Sequence, residues 1–268
     1  MNDVQSHLLE MLSDFDWAMR KDGVRYFMAY GTALGAVRHK GFIPWDDDVD
    51  VFIMRKDVPA FETAMEHLSP YYILQRPFEL DWPDAFYKVK LDGSYVDEGN
   101  YPDCRLNHGL FIDVFVLDGY PDSKPRRLIH DIFAFAAHAS DVMSGKCINK
   151  PVLDPIQKLL VLNIKVMHRL MDMMLDHEDS ELLLNRCVEW DYTKRRVFDD
   201  VIDMEFEGRQ FMMPKEWDLM LTDYFGDYMT PPPEDERVGH HIRGHRLCDT
   251  PKLYLENKDG KISDADQR

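Results

Sequence analysis

Four aspartates, Asp46, Asp47, Asp48 and Asp50, crowd the stretch Ile43-Pro44-Trp45-Asp46-Asp47-Asp48-Val49-Asp50-Val51-Phe52-Ile53. Carboxylates this dense repel one another unless a cation sits among them. Asp48 and Asp50 flank Val49 and lead into an apolar, β-branched run. On a strand, where side chains alternate, both would leave the same face a few ångströms apart. Mg²⁺ takes one or two carboxylates, several waters and substrate phosphate oxygens, so the pattern points to phosphate chemistry rather than to a stored structural ion. Mn²⁺ is the alternative ion. An EF-hand is excluded, because the central Gly and the twelfth-position Glu are missing. The apolar entry and exit place the carboxylates at the rim of a packed sheet rather than on a solvated loop.

Upstream, the run Val24 to Tyr30 reads as a strand, and Gly31-Thr32-Ala33-Leu34-Gly35-Ala36-Val37-Arg38 as a tight turn opening a short helix. The free N–H groups of such a turn can receive a phosphate, with Gly31 and Thr32 as donors. Asp113 lies inside the apolar run Phe111-Ile112-Asp113-Val114-Phe115, where an unpaired charge is costly, so it must face an ion, a basic partner or water. It is the candidate third carboxylate. Arg38 and Lys88 are the candidate cations for charge developing on phosphate. A phosphate turn followed by two same-face aspartates and a third acid on a neighbouring strand is the order of a nucleotidyltransferase site.

The elements that must position these residues fit an α+β fold with a mixed sheet. At 268 residues and 45% apolar content the chain holds a sizeable core. Its formal charge of −17 excludes non-specific nucleic-acid binding, which needs a Lys/Arg surplus. Asp3 and Glu10 interrupt the N-terminal apolar residues, which argues against a secretory signal and for a cytoplasmic protein. The apolar-rich stretch from Ile156 to Leu175 carries too many polar residues to span a membrane and reads as an amphipathic helix. Cys104, Cys147, Cys187 and Cys248 show neither zinc spacing nor disulfide density.

Helical spacing of Leu8, Leu12, Phe15 and Met19 predicts an opening helix stopped by Gly23. Further expected elements are a strand over Val49 to Met54, a helix over Val58 to Leu68, and strands over Tyr71 to Leu74, Phe86 to Leu91 and Leu110 to Leu117. In the Phe86 strand Lys88 and Lys90 would alternate outward. Long helical patterns run from Pro125 to about Trp190, followed by a strand at Met204 to Met212 and a helix at Lys215 to Phe225. The expected organisation is a nucleotidyltransferase-like catalytic core over 1–122, a helical and C-terminal part over 123–255 packed on it as one structural unit, and a flexible tail over 256–268.

The blocks Tyr30-Gly31-Thr32-Ala33-Leu34-Gly35-Ala36-Val37-Arg38 and Ile43-Pro44-Trp45-Asp46-Asp47-Asp48-Val49-Asp50 resemble the LicD family of phosphotransferases, which includes fukutin and fukutin-related protein. The resemblance extends to His108-Gly109, Ile112-Asp113-Val114-Phe115, Leu117-Asp118-Gly119, and Tyr224-Phe225-Gly226-Asp227-Tyr228 with the downstream prolines and Arg237. Val116 and Ser94 depart from the family's frequent Pro and Thr. The resemblance implies a nucleotidyltransferase-type fold that takes a CDP-linked alcohol, moves the phospho-alcohol (phosphorylcholine in bacterial members) to a sugar hydroxyl of a cell-surface glycan such as a lipopolysaccharide, teichoic acid or capsule precursor, and releases CMP. It further implies that Asp48 and Asp50 bind Mg²⁺, that Asp46 shares the cluster, and that Asp113 is ligand or base.

Two other readings stay open: nucleotide transfer from an NTP, and a binding module that does not turn over. Intact Asp46, Asp48, Asp50 and Asp113 argue against the second. Choline would call for an aromatic cage, for which Trp45, Tyr87, Tyr224 and Tyr228 are candidates. A zinc set of His240, His241, His245 and Cys248 fits no structural spacing. A lipid-linked acceptor would bring the enzyme to the inner face of the membrane through an exposed apolar patch of the helical half.

Overall fold

The computed structural model describes residues 1–78, 85–99, 107–147, 150–173, 179–185, 192–237, 239 and 242–256. The chain opens with α1 (Asp3–Lys21), whose Asn2 side chain accepts from the Gln5 amide while Gln5 bonds back to the Asn2 amide. This reciprocal cap satisfies two donors that a helix start leaves unpaired. Leu8, Leu12, Phe15 and Met19 form its buried face, as their spacing predicts. Gly23, at φ +68°, then turns the chain into β1 (Tyr26–Met28), α2 (Tyr30–His39) and β2 (Asp50–Met54).

Next come α3 (Val58–Ala64), β3 (Tyr72–Gln75), β4 (Tyr87–Leu91), β5 (Tyr95–Asp97) and β6 (Phe111–Tyr120). A helical hairpin, α4 (Lys124–Gly145) and α5 (Asp154–Asp172), precedes β7 (Leu182–Asn185) and β8 (Tyr192–Lys194). The last described elements are β9 (Val201–Phe206), β10 (Arg209–Pro214), α6 (Trp217–Phe225), β11 (Gly244–Arg246) and α7 (Leu253–Glu256).

The main sheet has seven strands in the order β1-β2-β6-β4-β3, and the C-terminal half of the long β6 pairs instead with β7, which pairs with β8. Only β2 and β6 run parallel among its described pairs, so the sheet is mixed and the fold α+β, as expected. Parallel pairing puts the starts of β2 and β6 side by side at one sheet end. There Asp50 stands opposite Asp113, and Asp113 stands opposite Lys88 on β4. Three ionisable residues thus occupy one rung across three adjacent strands and share a face. At the other end of the same strands Arg55 donates from Nε and Nη2 to the two Asp118 oxygens at 2.7 and 2.5 Å, locking β2 to β6.

Several expectations need correction. The helical run ends at Asp172, and Leu182–Asn185 is a strand of the main sheet. Residues 186–190, expected as helix, lie outside the described residues, as does the tail beyond 256. The second half is therefore woven into the first: β7 and β8 extend the sheet, β11 pairs with β5, and β10 packs on β1. The single strand expected over Met204 to Met212 is a hairpin. Glu207 and Gly208 both take positive φ, 50° and 72°, and this two-residue turn matches the twist of the flanking strands. Lys88 and Lys90 do not alternate into solvent either, since both are buried and β4 is covered on both faces.

Candidate active site

The helix α2 begins directly after β1, at Tyr30, with φ +37°. That conformation is costly for a tyrosine, and the ring is held in place by Phe52, Phe115 and Tyr224 at 5.0–5.5 Å and by a hydrogen bond from Asn185 to its hydroxyl. The bend leaves the first-turn amides of Gly31 and Thr32 outside the intrahelical ladder, which starts with Ala33 donating to Ala29. A Cβ on Gly31 would fall 2.6 Å from Asp46 Oδ2, so a side chain there would displace the Asp46 carboxylate. The phosphate turn and the aspartate loop therefore touch.

Thr32 is buried and its hydroxyl oxygen accepts from the Asp50 amide at 2.9 Å. Its side chain ties the turn to the start of β2, a different task from the phosphate contact expected of it. The loop itself is fixed by Gln5, which donates Nε2 to the Ile43 and Asp46 carbonyls at 3.2 and 2.9 Å from the buried face of α1. On its outer side the Ile242 amide donates to Asp47 Oδ2 at 2.8 Å. Gln5→Ala removes both carbonyl bonds and leaves polar groups buried. It is expected to cost about 1–3 kcal/mol in urea unfolding and to lower activity by loosening Asp46.

One carboxylate oxygen each from Asp46, Asp47 and Asp48 lie within 4.8 Å of one another. Asp47, which alternation would turn away, thus joins the group. Asp50 and Asp113 lie behind it, both buried. Burial and the neighbouring Asp48 push the Asp46 carboxyl up to about 8. Burial, then Asp48, Asp113 and Asp46, drive Asp50 well above the usual carboxylate range. Burial raises Asp113 to about 6 against the opposing pull of Lys88. Like charges held this close in a desolvated place are what a divalent cation relieves. Among the described residues Asp113 Oδ1 meets Lys88 Nζ as an ion pair at 3.3 Å and has no well-angled hydrogen bond. Hard oxygens of this number and crowding fit Mg²⁺ or Mn²⁺.

Lys88 Nζ also binds Glu98 at 2.8 Å and sits 3.2 Å from the centroid of the Phe111 ring. Although burial alone would favour the neutral amine, Asp113 and Glu98 raise its pKa and keep it charged. Glu98, a residue that sequence spacing gave no reason to single out, is thus part of the site's charge balance. Arg38 is set back from the Gly31 turn. It lies at the far end of α2, donating Nη1 to the Tyr228 carbonyl at 3.0 Å, beside Arg237. Arg237 stacks over Trp45 at 5.4 Å and donates to the Pro232 carbonyl. These two guanidiniums, neither paired with a carboxylate among the described residues, flank the aspartate loop through Trp45.

The cage residues do not converge. Tyr87 donates to Glu62 from the sheet face opposite Lys88, Tyr224 packs on Tyr30 and Phe52, and Tyr228 bonds Asp218. Of the zinc set, His240 and His241 lie outside the described residues, His245 is exposed on β11, and Cys248 bonds the Asp92 carbonyl. The other motif residues have packing roles. A Cβ on Gly109 would fall 2.4 Å from the Leu91 carbonyl oxygen, and Ser94 bridges Leu91 and Leu110.

The model of the family described as LicD/FKTN/FKRP, nucleotidyltransferase domain, matches residues 23–166, more than half of the chain. The chain belongs to the LicD family. It is 28% identical over 252 residues to the lipopolysaccharide cholinephosphotransferase LicD of Haemophilus influenzae, covering 88% of this chain and 93% of that one. Over 36 residues it is 56% identical to the human ribitol 5-phosphate transferase FKRP, 13% of this chain and 7% of that one. A Rickettsia prowazekii protein of no stated activity is 44% identical over 118 residues, 43% of this chain and 40% of its own. Like its LicD relatives, the chain is a phosphotransferase.

Proposed function

We propose that this LicD-family enzyme transfers a phospho-alcohol from a CDP-linked donor to a hydroxyl of a cell-surface glycan and releases CMP. Phosphorylcholine and a lipopolysaccharide acceptor are the first candidates, on the likeness to the Haemophilus influenzae protein. The observation that carries the reading is the rung of Asp50, Asp113 and Lys88 beside an aspartate loop that rests on the Gly31 turn.

Asp46, Asp48 and Asp50 would hold Mg²⁺, which when bound would neutralise pyrophosphate charge and favour departure of CMP, and Asp113 behind them takes the part of the base. The α2 first-turn amides of Gly31 and Thr32 receive phosphate oxygens with the positive end of the helix dipole. Arg38 and Arg237 attract the anionic donor to the loop. The glycan hydroxyl attacks the alcohol-bearing phosphorus in line. A new P–O bond forms there as the bond to the CMP phosphate oxygen breaks, and the hydroxyl proton passes to Asp113.

The test is CMP release from CDP-choline, CDP-ribitol and CDP-glycerol with and without Mg²⁺, with Asp48→Asn as the control. Metal-dependent release from one donor, lost in the variant, is the expected result. Silence with all three in the presence of glycan extract would overturn the reading in favour of an NTP-using transferase or a binding module.

A further inference from the structure

The α4–α5 hairpin inverts the usual placement of polarity. Leu128, Ile132 and Phe135 recur along one stripe of α4 and are 65, 57 and 69% exposed. Ile156, Leu159 and Leu162 do the same on α5 at 48, 67 and 55%. Two paired helices in water turn such residues toward each other. Here the buried side holds Ser140, Ser144 and Gln157 beside Ala137, Val161, Ile164 and Met171, with Asn163 donating to Ser140 at 2.7 Å and His168 packed on Phe78. Small and hydrogen-bonding residues within and apolar ones outside is the arrangement of helices that pair in an apolar medium.

Charge identifies that medium. Residues 124–173 carry eight Lys or Arg against four Asp or Glu, in a chain whose net charge is −17. Lys158, Lys165 and Arg169 are exposed along the flank of the α5 stripe, where long stems can lie on apolar surface and present their charges to an anionic layer. Lys124, Arg126, Lys146 and Lys150 mark the ends of α4 and the turn. A second copy docking on this face would set positive charge against positive charge. Among the described residues no helix is long and apolar enough to cross a membrane.

We propose that the α4–α5 hairpin docks on an anionic lipid bilayer, embedding its apolar stripes at the interface. The hairpin lies apart from the catalytic rung, and the inference does not depend on which donor is used. The full-length protein is sedimented with vesicles of phosphatidylcholine alone or mixed with phosphatidylglycerol. Binding to the mixed vesicles that weakens with added salt is expected. Phe135→Glu/Leu159→Glu should reduce the bound fraction about tenfold or more, and Lys158→Glu/Lys165→Glu should reduce it only on the anionic vesicles. Circular dichroism and donor cleavage in solution should be unchanged in both. Should the first pair not fold, Leu128→Glu/Leu162→Glu tests the same stripes. Absence of vesicle binding by the wild type overturns the proposal, as does binding that the substitutions leave intact. A wild-type dimer in sedimentation velocity that the Glu pair dissolves, without vesicle binding, overturns it in favour of self-association.

Discussion

Asp50→Asn is expected to lower metal-dependent donor cleavage by about 10²–10³-fold while making the metal-free protein more stable at pH 8. The two effects have one cause. Asp50 is buried beside Asp48, Asp113 and Asp46, and without a cation each negative charge raises the proton affinity of the others. A carboxyl whose folded pKa exceeds its unfolded value favours folding most when protonated, below the unfolded value of about 4. That contribution is lost as pH rises toward the folded values, about 6 for Asp113 and about 8 for Asp46. In EDTA the wild-type Tm should therefore fall between pH 4 and pH 8, and the Asn variant should fall less. Mg²⁺ should restore the wild type at pH 8 and do little for the variant. A metal-free variant that melts below the wild type at pH 8 would show that the carboxylate stabilises the fold itself, and the metal assignment would fail with it.

Most of the site was readable because its signals are local. The Asp48–Asp50 spacing, the Gly31 turn and the charge inside Phe111–Phe115 each follow from the neighbours on either side, and β6 is the neighbouring strand expected for Asp113, although its parallel pairing with β2 was not legible. What escaped depends on contacts far apart in sequence. Gln5 supports the aspartate loop from 41 residues away, and Arg237 meets Trp45 only because the C-terminal segment returns across the loop. Lys88 and Lys90 alternate as an outward face would, yet β4 lies inside the sheet between β6 and β3, so tertiary burial overrides the pattern. The β9–β10 hairpin was hidden because Glu207-Gly208 is a weaker turn signal than Asn-Gly, and the apolar residues on both sides read as one run. Arg38 sits at the flank of the loop rather than at the phosphate turn for a geometric reason: a residue at the end of a ten-residue helix is carried some 1.5 Å per residue away from the turn that opens it.

Lys88→Met should prove costly to the fold as well as to the reaction. The ammonium is buried between Glu98 at 2.8 Å and Asp113 at 3.3 Å, and methionine keeps the apolar stem but leaves both acids facing each other without a cation. Breaking a buried pair from one side typically costs about 3–5 kcal/mol, because the remaining charge is stranded. Urea unfolding in EDTA should show a loss of that order, and Lys88→Met/Glu98→Gln should recover part of it by removing one stranded acid. Burial depresses the amine, but Asp113 and Glu98 more than offset this and raise its pKa. The Lys88 charge is then present throughout the neutral range, but its loss also removes the pull that holds Asp113 down to about 6, so the deficit should grow from about pH 6 to 8 as the stranded Asp113 ionises. Kinetics separate the two roles open to this lysine. If its task is to hold Asp113 anionic and in place, both variants lose kcat while KM for the donor changes little, since Asp113 acts on the hydroxyl and not on donor binding. A lysine that gripped the donor phosphate would instead show its loss in KM. The distances already given to Glu98 and Asp113 favour the first outcome, and a rise in KM at constant kcat would return Lys88 to the phosphate.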